Sequence, residues 1–220
     1  MLASLLEAVA VAACPTNAPG EAGVPSSAQQ LVTVEAKVAR TTYASLRTWR
    51  RKDGCWVESG GPYVARLGKS GLSTNRREGD GTTPAGTFRI GRTMYGNAPN
   101  PGVQYPYHRL RCGDWWDEDP TSPTYNSFQH VHCGTTPPFA GESEGMWQKP
   151  SPYPYLAVIE YNTRPVVAGR GSGIFLHAQT GGPTIGCISL RRDQLAAVLR
   201  WLRPAAKPVI AIGTSAQLRR

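Results

Sequence analysis

The 220-residue sequence has no apolar run long enough to form a membrane-spanning helix, so a transmembrane reading has no support in it. It has no Cys-x-x-Cys pair, which removes the usual signature of a thiol oxidoreductase. No internal repeat is apparent, so a solenoid or propeller is not indicated. Acidic residues are few, 15 against 24 Lys and Arg, giving a formal net charge of +9. That excess favours anionic surroundings, yet the basic residues are scattered, and no recognition motif interleaves them with stacking aromatics. Nucleic acid is therefore not expected as a partner, whereas an anionic wall polymer is compatible with the charge.

What is present points to strands and turns. Hydrophobic residues make up 40% of the chain, while 24 Gly and 19 Pro are many for a helical protein. Residues 31–36 and 43–49 alternate apolar and polar positions, and Asp53-Gly54 marks a hairpin turn leading into residues 55–57. Further strands are expected at 63–67, 87–90, 155–161, 173–177 and 209–212. One helix is clear: Leu195, Val198, Leu199 and Leu202 share a face, Asp193 falls in the first turn, and Pro204 ends the run.

Two segments stand outside this pattern. Residues 1–30 read as an apolar export-signal remnant followed by a Pro/Gly/Ser/Ala-rich linker, and Val11-Ala12-Ala13-Cys14 resembles a lipobox that would anchor a lipid on Cys14. Residues 31–220 then form the functional domain. Within it, residues 95–154 carry many prolines with Trp115, Trp116 and Trp147, too long and aromatic for an idle connection. They are expected to be an insertion covering the active site, with Trp115 and Trp116 as substrate contacts, or a satellite core built on the tryptophans.

Five cysteines leave one unpaired if disulfides form. Cys112 and Cys133 bracket part of the insertion and are the preferred bridge in an exported protein. A zinc site using Cys112, His130, His132 and Cys133 is the competing reading, but its spacing fits no common zinc motif.

The chemistry concentrates between residues 174 and 190. His177 ends an apolar strand, and Gly186-Cys187 closes a glycine-rich turn ten positions later. A thiol is mostly protonated near neutrality, and a nearby imidazole can take its proton and hold an ion pair. Gly186 would let backbone N–H groups approach a tetrahedral oxyanion, and the Thr184 hydroxyl could orient the turn or the site.

The run His177 to Thr184-Ile-Gly-Cys187-Ile resembles the active-site signature of the L,D-transpeptidase catalytic domain (YkuD-type). Thr83-Pro84-Ala85-Gly86-Thr87-Phe88 resembles the same family's Thr-Pro-x-Gly-x-Phe element, in the expected order. The resemblance spans roughly residues 31–212. It implies a mainly β, sandwich-like catalytic domain with one helix before the last strand. It also implies attack by Cys187 on peptidoglycan stem peptides, release of terminal D-alanine, acylation by carbapenems, no cofactor, and an extracytoplasmic location. Three departures accompany it: the interval between His177 and Cys187 is short, position 185 is Ile where many members carry His or Arg, and Ser189 stands where many carry Arg or Asn. Ser189 and Arg191 remain substrate-binding candidates. An L,D-carboxypeptidase, or a wall-binding protein of weak activity, would keep the same residues.

Overall fold

The computed structural model describes residue 14 and residues 23–140 and 143–219. Fourteen strands are found among them: β1 (Gln30–Ala36), β2 (Tyr43–Lys52), β3 (Cys55–Arg66), β4 (Leu72–Ser73), β5 (Thr83–Pro84), β6 (Gly86–Gly96), β7 (Tyr107–Arg109), β8 (Asp114–Asp117), β9 (Ser127–His130), β10 (Glu144–Gly145), β11 (Leu156–Ile159), β12 (Phe175–Ala178), β13 (Ile188–Leu190) and β14 (Val209–Thr214). Helix α1 (Arg192–Trp201) precedes β14, and a short α2 (Ser215–Leu218) follows it. The chain is mainly β with one helix before the last long strand, as its hydrophobic pattern predicts.

Nine strands join in one mixed sheet in the order β11-β12-β13-β3-β2-β1-β14-β6-β7. Because β11 also pairs with β6, hydrogen bonding passes right round eight of them and β7 hangs from the rim. The start is an antiparallel meander, but the β1–β14 and β12–β13 pairings are parallel. Asp53 and Gly54 both adopt positive φ, 51° and 80°, which is the backbone a two-residue hairpin turn requires.

Alternation explains where the core sits. Val32 and Val34 of β1, Leu46 of β2, Leu176 of β12, Ile188 and Leu190 of β13 and Ile210 and Ile212 of β14 face a common interior, closed by Leu195, Val198 and Leu199 of α1. The opposite face of β1 and β14 carries Leu31, Val209 and Ala211, packed with Trp49, Trp56 and Ala28. This second cluster reaches into the segment expected to be a linker. Val24 packs on it, Gln29 donates its N–H to the Ala206 carbonyl at 2.8 Å, and the Arg51 guanidinium donates to the Ser26 carbonyl at 2.7 Å. Residues 23–29 are thus docked rather than free, because they cover two tryptophans. The expected signal remnant, apart from Cys14, lies outside the described residues.

Both expected pairing rules for the cysteines hold, with one correction. Cys112 and Cys133 form a disulfide, Cys187 is the free thiol, and Cys14 is bonded to Cys55. A sulfur in a disulfide cannot carry the thioether of a lipid anchor, so the lipidation expected at Cys14 is withdrawn. The Cys112–Cys133 bond likewise removes two of the four zinc ligands considered.

The insertion folds on its own small sheet, β10-β8-β9. Asp114, fully buried, ties it together: its two carboxylate oxygens bond His108 Nε2 and His130 Nδ1, each at 2.7 Å, and one also accepts the Arg111 N–H at 2.8 Å. Burial pushes this carboxyl up, but the His108, Arg111 and His130 hydrogen bonds outweigh it and hold the group below its ordinary value. Each of His108 and His130 thus commits one ring nitrogen to holding Asp114.

The Cys112–Cys133 bond spans 21 residues. The chain-entropy relation for such a loop gives a stabilisation of about 3 kcal/mol. Urea unfolding of a Cys112→Ser/Cys133→Ser double variant should show that loss, with the remaining protein still folding to a sheet-rich spectrum.

Candidate active site

The parallel pairing of β12 with β13 builds the site. Its register sets Leu176 opposite Ile188 and His177 opposite Ser189. Side chains alternate, so Leu176 and Ile188 enter the core while Phe175, His177 and Ser189 point to the other face, and Cys187, one residue before β13, joins them. The Phe175 N–H reaches Cys187 Sγ at 3.4 Å, and the thiol donates to the Gly173 carbonyl at 3.2 Å.

His177 is buried, 7% exposed, with Nδ1 bonded to the Ala178 carbonyl at 2.8 Å. That bond makes Nδ1 the protonated nitrogen and leaves Nε2 as the basic one. The Tyr153 ring packs edge-on against the imidazole at 5.5 Å and against Phe175 at 5.8 Å. Burial lowers the His177 pKa, with the Ala178 carbonyl opposing. Burial also pushes the Cys187 thiol up to about 12, with the Phe175 N–H opposing. The resting pair is consequently neutral thiol and neutral imidazole, not the ion pair expected from the sequence; desolvation disfavours both charges at once.

The turn before Cys187 is locked from two sides. The Thr184 hydroxyl donates to the Cys187 carbonyl at 2.7 Å and accepts the Gly186 N–H at 3.1 Å. Thr184 thus shapes the turn, and the Gly186 N–H, expected to face an oxyanion, is already engaged. The N–H of Cys187 has no partner among the described residues and is free for that role. From the other side, Thr83 Oγ1 approaches the same carbonyl at 3.5 Å and accepts the Gly68 N–H at 2.8 Å. This gives the Thr-Pro-x-Gly-x-Phe element a structural meaning: it brings a fully buried threonine beneath the nucleophile's turn.

The sequence reading missed Arg76. It is 3% exposed, donates to the carbonyls of Thr82 and Ile185, and pairs with Asp80 at 3.3 Å. Nothing in the local sequence separates it from the solvated Arg77 beside it. A Cβ at Gly186 would lie 2.6 Å from Arg76 Nη1, so glycine is required there to admit the guanidinium. A buried cation under the nucleophile favours the thiolate.

The remaining candidates divide. Ser189 lies opposite His177 in the strand register and is 1% exposed. Trp116 is buried against Phe175, with its indole N–H bonded to Asn126 Oδ1 at 3.1 Å. Trp115 packs edge-on with Trp147 and Phe139. The tryptophans therefore form the satellite core, which in turn supplies Trp116, Met146 and Tyr153 to the cluster against which Cys187 packs. Arg191 is exposed, paired with Asp193 at 2.8 Å, and lies four residues along the strand from Cys187, roughly 13 Å at the rise of a β-strand.

A family model for YkuD, the L,D-transpeptidase catalytic domain, matches residues 31–210. The chain belongs to that family. Among solved structures, the helical cell shape determining protein Pgp2 from Campylobacter jejuni is similar at 17% identity and a TM-score of 0.42, over 88% of this chain and 53% of that one. The chain therefore spans about half the length of the solved protein it matches. No curated protein sequence matches it. In this L,D-transpeptidase family member, Cys187 and His177 lie on one face of one sheet, on or next to neighbouring parallel strands.

Two outcomes follow from this geometry. Gly186→Ala should force Arg76 from its seat, cost about 1–3 kcal/mol in urea melts, and suppress reaction at Cys187. In the unliganded protein, iodoacetamide labelling of Cys187 should be slow at pH 7 and rise about tenfold per pH unit towards a pKa of about 12, because only the thiolate reacts. Fast labelling at neutral pH would show the resting ion pair instead.

Proposed function

We propose that this chain is an extracytoplasmic L,D-transpeptidase acting on peptidoglycan stem peptides. The observation that carries the reading is the free Cys187 on the same sheet face as a buried His177 with a basic Nε2, within a family-matched domain. Cys187 Sγ attacks the carbonyl of an L-centre that precedes a terminal D-alanine. His177 Nε2 takes the thiol proton and returns it to the departing D-alanine amine, leaving a thioester on Cys187. The Cys187 N–H stabilises the tetrahedral oxyanion. A second stem's side-chain amine then resolves the thioester; if water does so, the same residues make an L,D-carboxypeptidase. Carbapenems would acylate the same sulfur, and no metal or organic cofactor enters the chemistry.

Two disulfides, Cys14–Cys55 and Cys112–Cys133, support an oxidising, extracytoplasmic setting. No helix among the described residues is long and apolar enough to cross a membrane. One observation favours a second reading: the thiol donates to the Gly173 carbonyl, and its pKa is raised. A protein that binds wall peptides with little turnover would have such a thiol.

Intact-mass spectrometry separates the two. Incubation with a disaccharide-tetrapeptide and, separately, a carbapenem should add a covalent acyl group to the wild type with D-alanine released from the peptide, and nothing to Cys187→Ala. His177→Ala should slow acylation about 10²–10⁴-fold. A folded wild type that forms neither adduct would establish the wall-binding reading.

A further inference from the structure

Glu118 feels two other carboxylates, Glu78 and Glu144, and alone rests against Gly173, the residue whose carbonyl accepts the Cys187 thiol. Glu78 Oε2 accepts from Ser172 Oγ at 2.7 Å and from the Tyr125 hydroxyl. Glu144 pairs with Lys149 at 2.8 Å and accepts from the Tyr153 hydroxyl, the ring that packs on His177. Glu118, which follows β8, differs from both. Its carboxylate has no hydrogen bond or ion pair among the described residues, although the residue is partly buried, and its Oε1 lies 1.8 Å from where a Cβ on Gly173 would stand. Only a glycine at 173 lets the carboxylate rest there, one residue from the reacting sulfur. The nearby cations are committed: Lys149 to Glu144, and Arg76 to Asp80 and two carbonyls.

A partly buried carboxylate with no partner among the described residues, and with two other acids acting on it, is a costly arrangement unless a cation arrives. A bound metal is not suggested, since no three acidic, His or Cys side chains among the described residues are grouped to hold one. The reaction supplies another cation. The amine that resolves a Cys187 thioester arrives as an ammonium and must lose a proton before it attacks.

Resting on the transpeptidase reading above, we propose that Glu118 seats the acceptor's side-chain ammonium beside Cys187 and acts as the base that takes its first proton, so directing the thioester to crosslinking rather than hydrolysis. The Glu118 carboxylate accepts one proton from the –NH3+ group. The amine lone pair forms the C–N bond at the thioester carbonyl, the C–S bond breaks, and the amine's second proton passes through His177 to the departing sulfur, restoring the Cys187 thiol. Glu118 then releases its proton to solvent. Burial, with Glu144 and Glu78 adding to it and Lys149 and Arg76 opposing, raises the Glu118 pKa well above the usual carboxylate range. That shift brings the base closer to the amine it must deprotonate.

The test uses a donor tetrapeptide with its side-chain amine acetylated, so that it cannot accept, and a tripeptide acceptor with a free side-chain amine that has no D-alanine to release. The readout is the ratio of crosslinked to hydrolysed donor. Because both products come from one thioester, a folding or acylation defect moves them together and leaves the ratio unchanged. Glu118→Gln should lower the ratio at least tenfold at neutral pH, and the deficit should narrow as the pH nears the acceptor amine's own pKa, about 10.4. Glu118→Asp should restore part of it. An unchanged ratio in Glu118→Gln, a deficit independent of pH, or a wild type that only hydrolyses would overturn the proposal while leaving Cys187 as nucleophile. Absence of any thioester in the wild type would overturn the transpeptidase reading and the proposal with it, and intact mass reports that result separately.

Discussion

The parallel register of β12 on β13 is the constraint on which the rest depends. With Leu176 opposite Ile188, both strands send one set of side chains to the core and the other set, Phe175, His177, Cys187 and Ser189, to the reactive face. A slip of one residue in either strand would bury its half of the pair in the core and expose leucine or isoleucine in its place. The fully buried Leu176, Ile188 and Leu190 therefore hold the chemistry in place as well as the fold. Catalytic geometry is here a by-product of core packing.

Around that pair the structure manages charge by enclosure. Desolvation keeps thiol and imidazole neutral at rest, Arg76 under the turn favours the anion, and two glutamates, Glu144 and Glu118, oppose it. Such a balance is altered readily by a ligand that displaces water or brings its own charge. The resting geometry, with Sγ directed at the Gly173 carbonyl, is compatible with activation only once substrate is bound.

The insertion turns out to be both of the things its composition suggested. Its tryptophans pack as a core of their own, held by Asp114 between two imidazoles and by the Cys112–Cys133 bond. The same core lends Tyr153, Trp116 and Met146 to the cluster against which Cys187 packs, and the segment carries Glu118 against Gly173. Trp115 and Trp116, expected as substrate contacts, are packed against other rings.

Local sequence determined the strand-rich class, the Asp53-Gly54 hairpin, the amphipathic α1 and the Cys112–Cys133 pairing, and it singled out Cys187 and His177 as candidates. Each depends on periodicity, turn chemistry or a short motif, which act over a few residues and are visible without a fold. The partner of Cys14, the place of Thr83 under the Cys187 carbonyl, the burial of Arg76 but not Arg77, and the approach of Glu118 to Gly173 were decided by tertiary structure alone. They join positions 14 and 55, 83 and 187, 76 and 186, and 118 and 173, and no local pattern reports which distant backbone will come to rest against a given side chain. The charge states followed the same division: the sequence singled out the thiol and the imidazole, but only their tertiary surroundings shift both towards the neutral form.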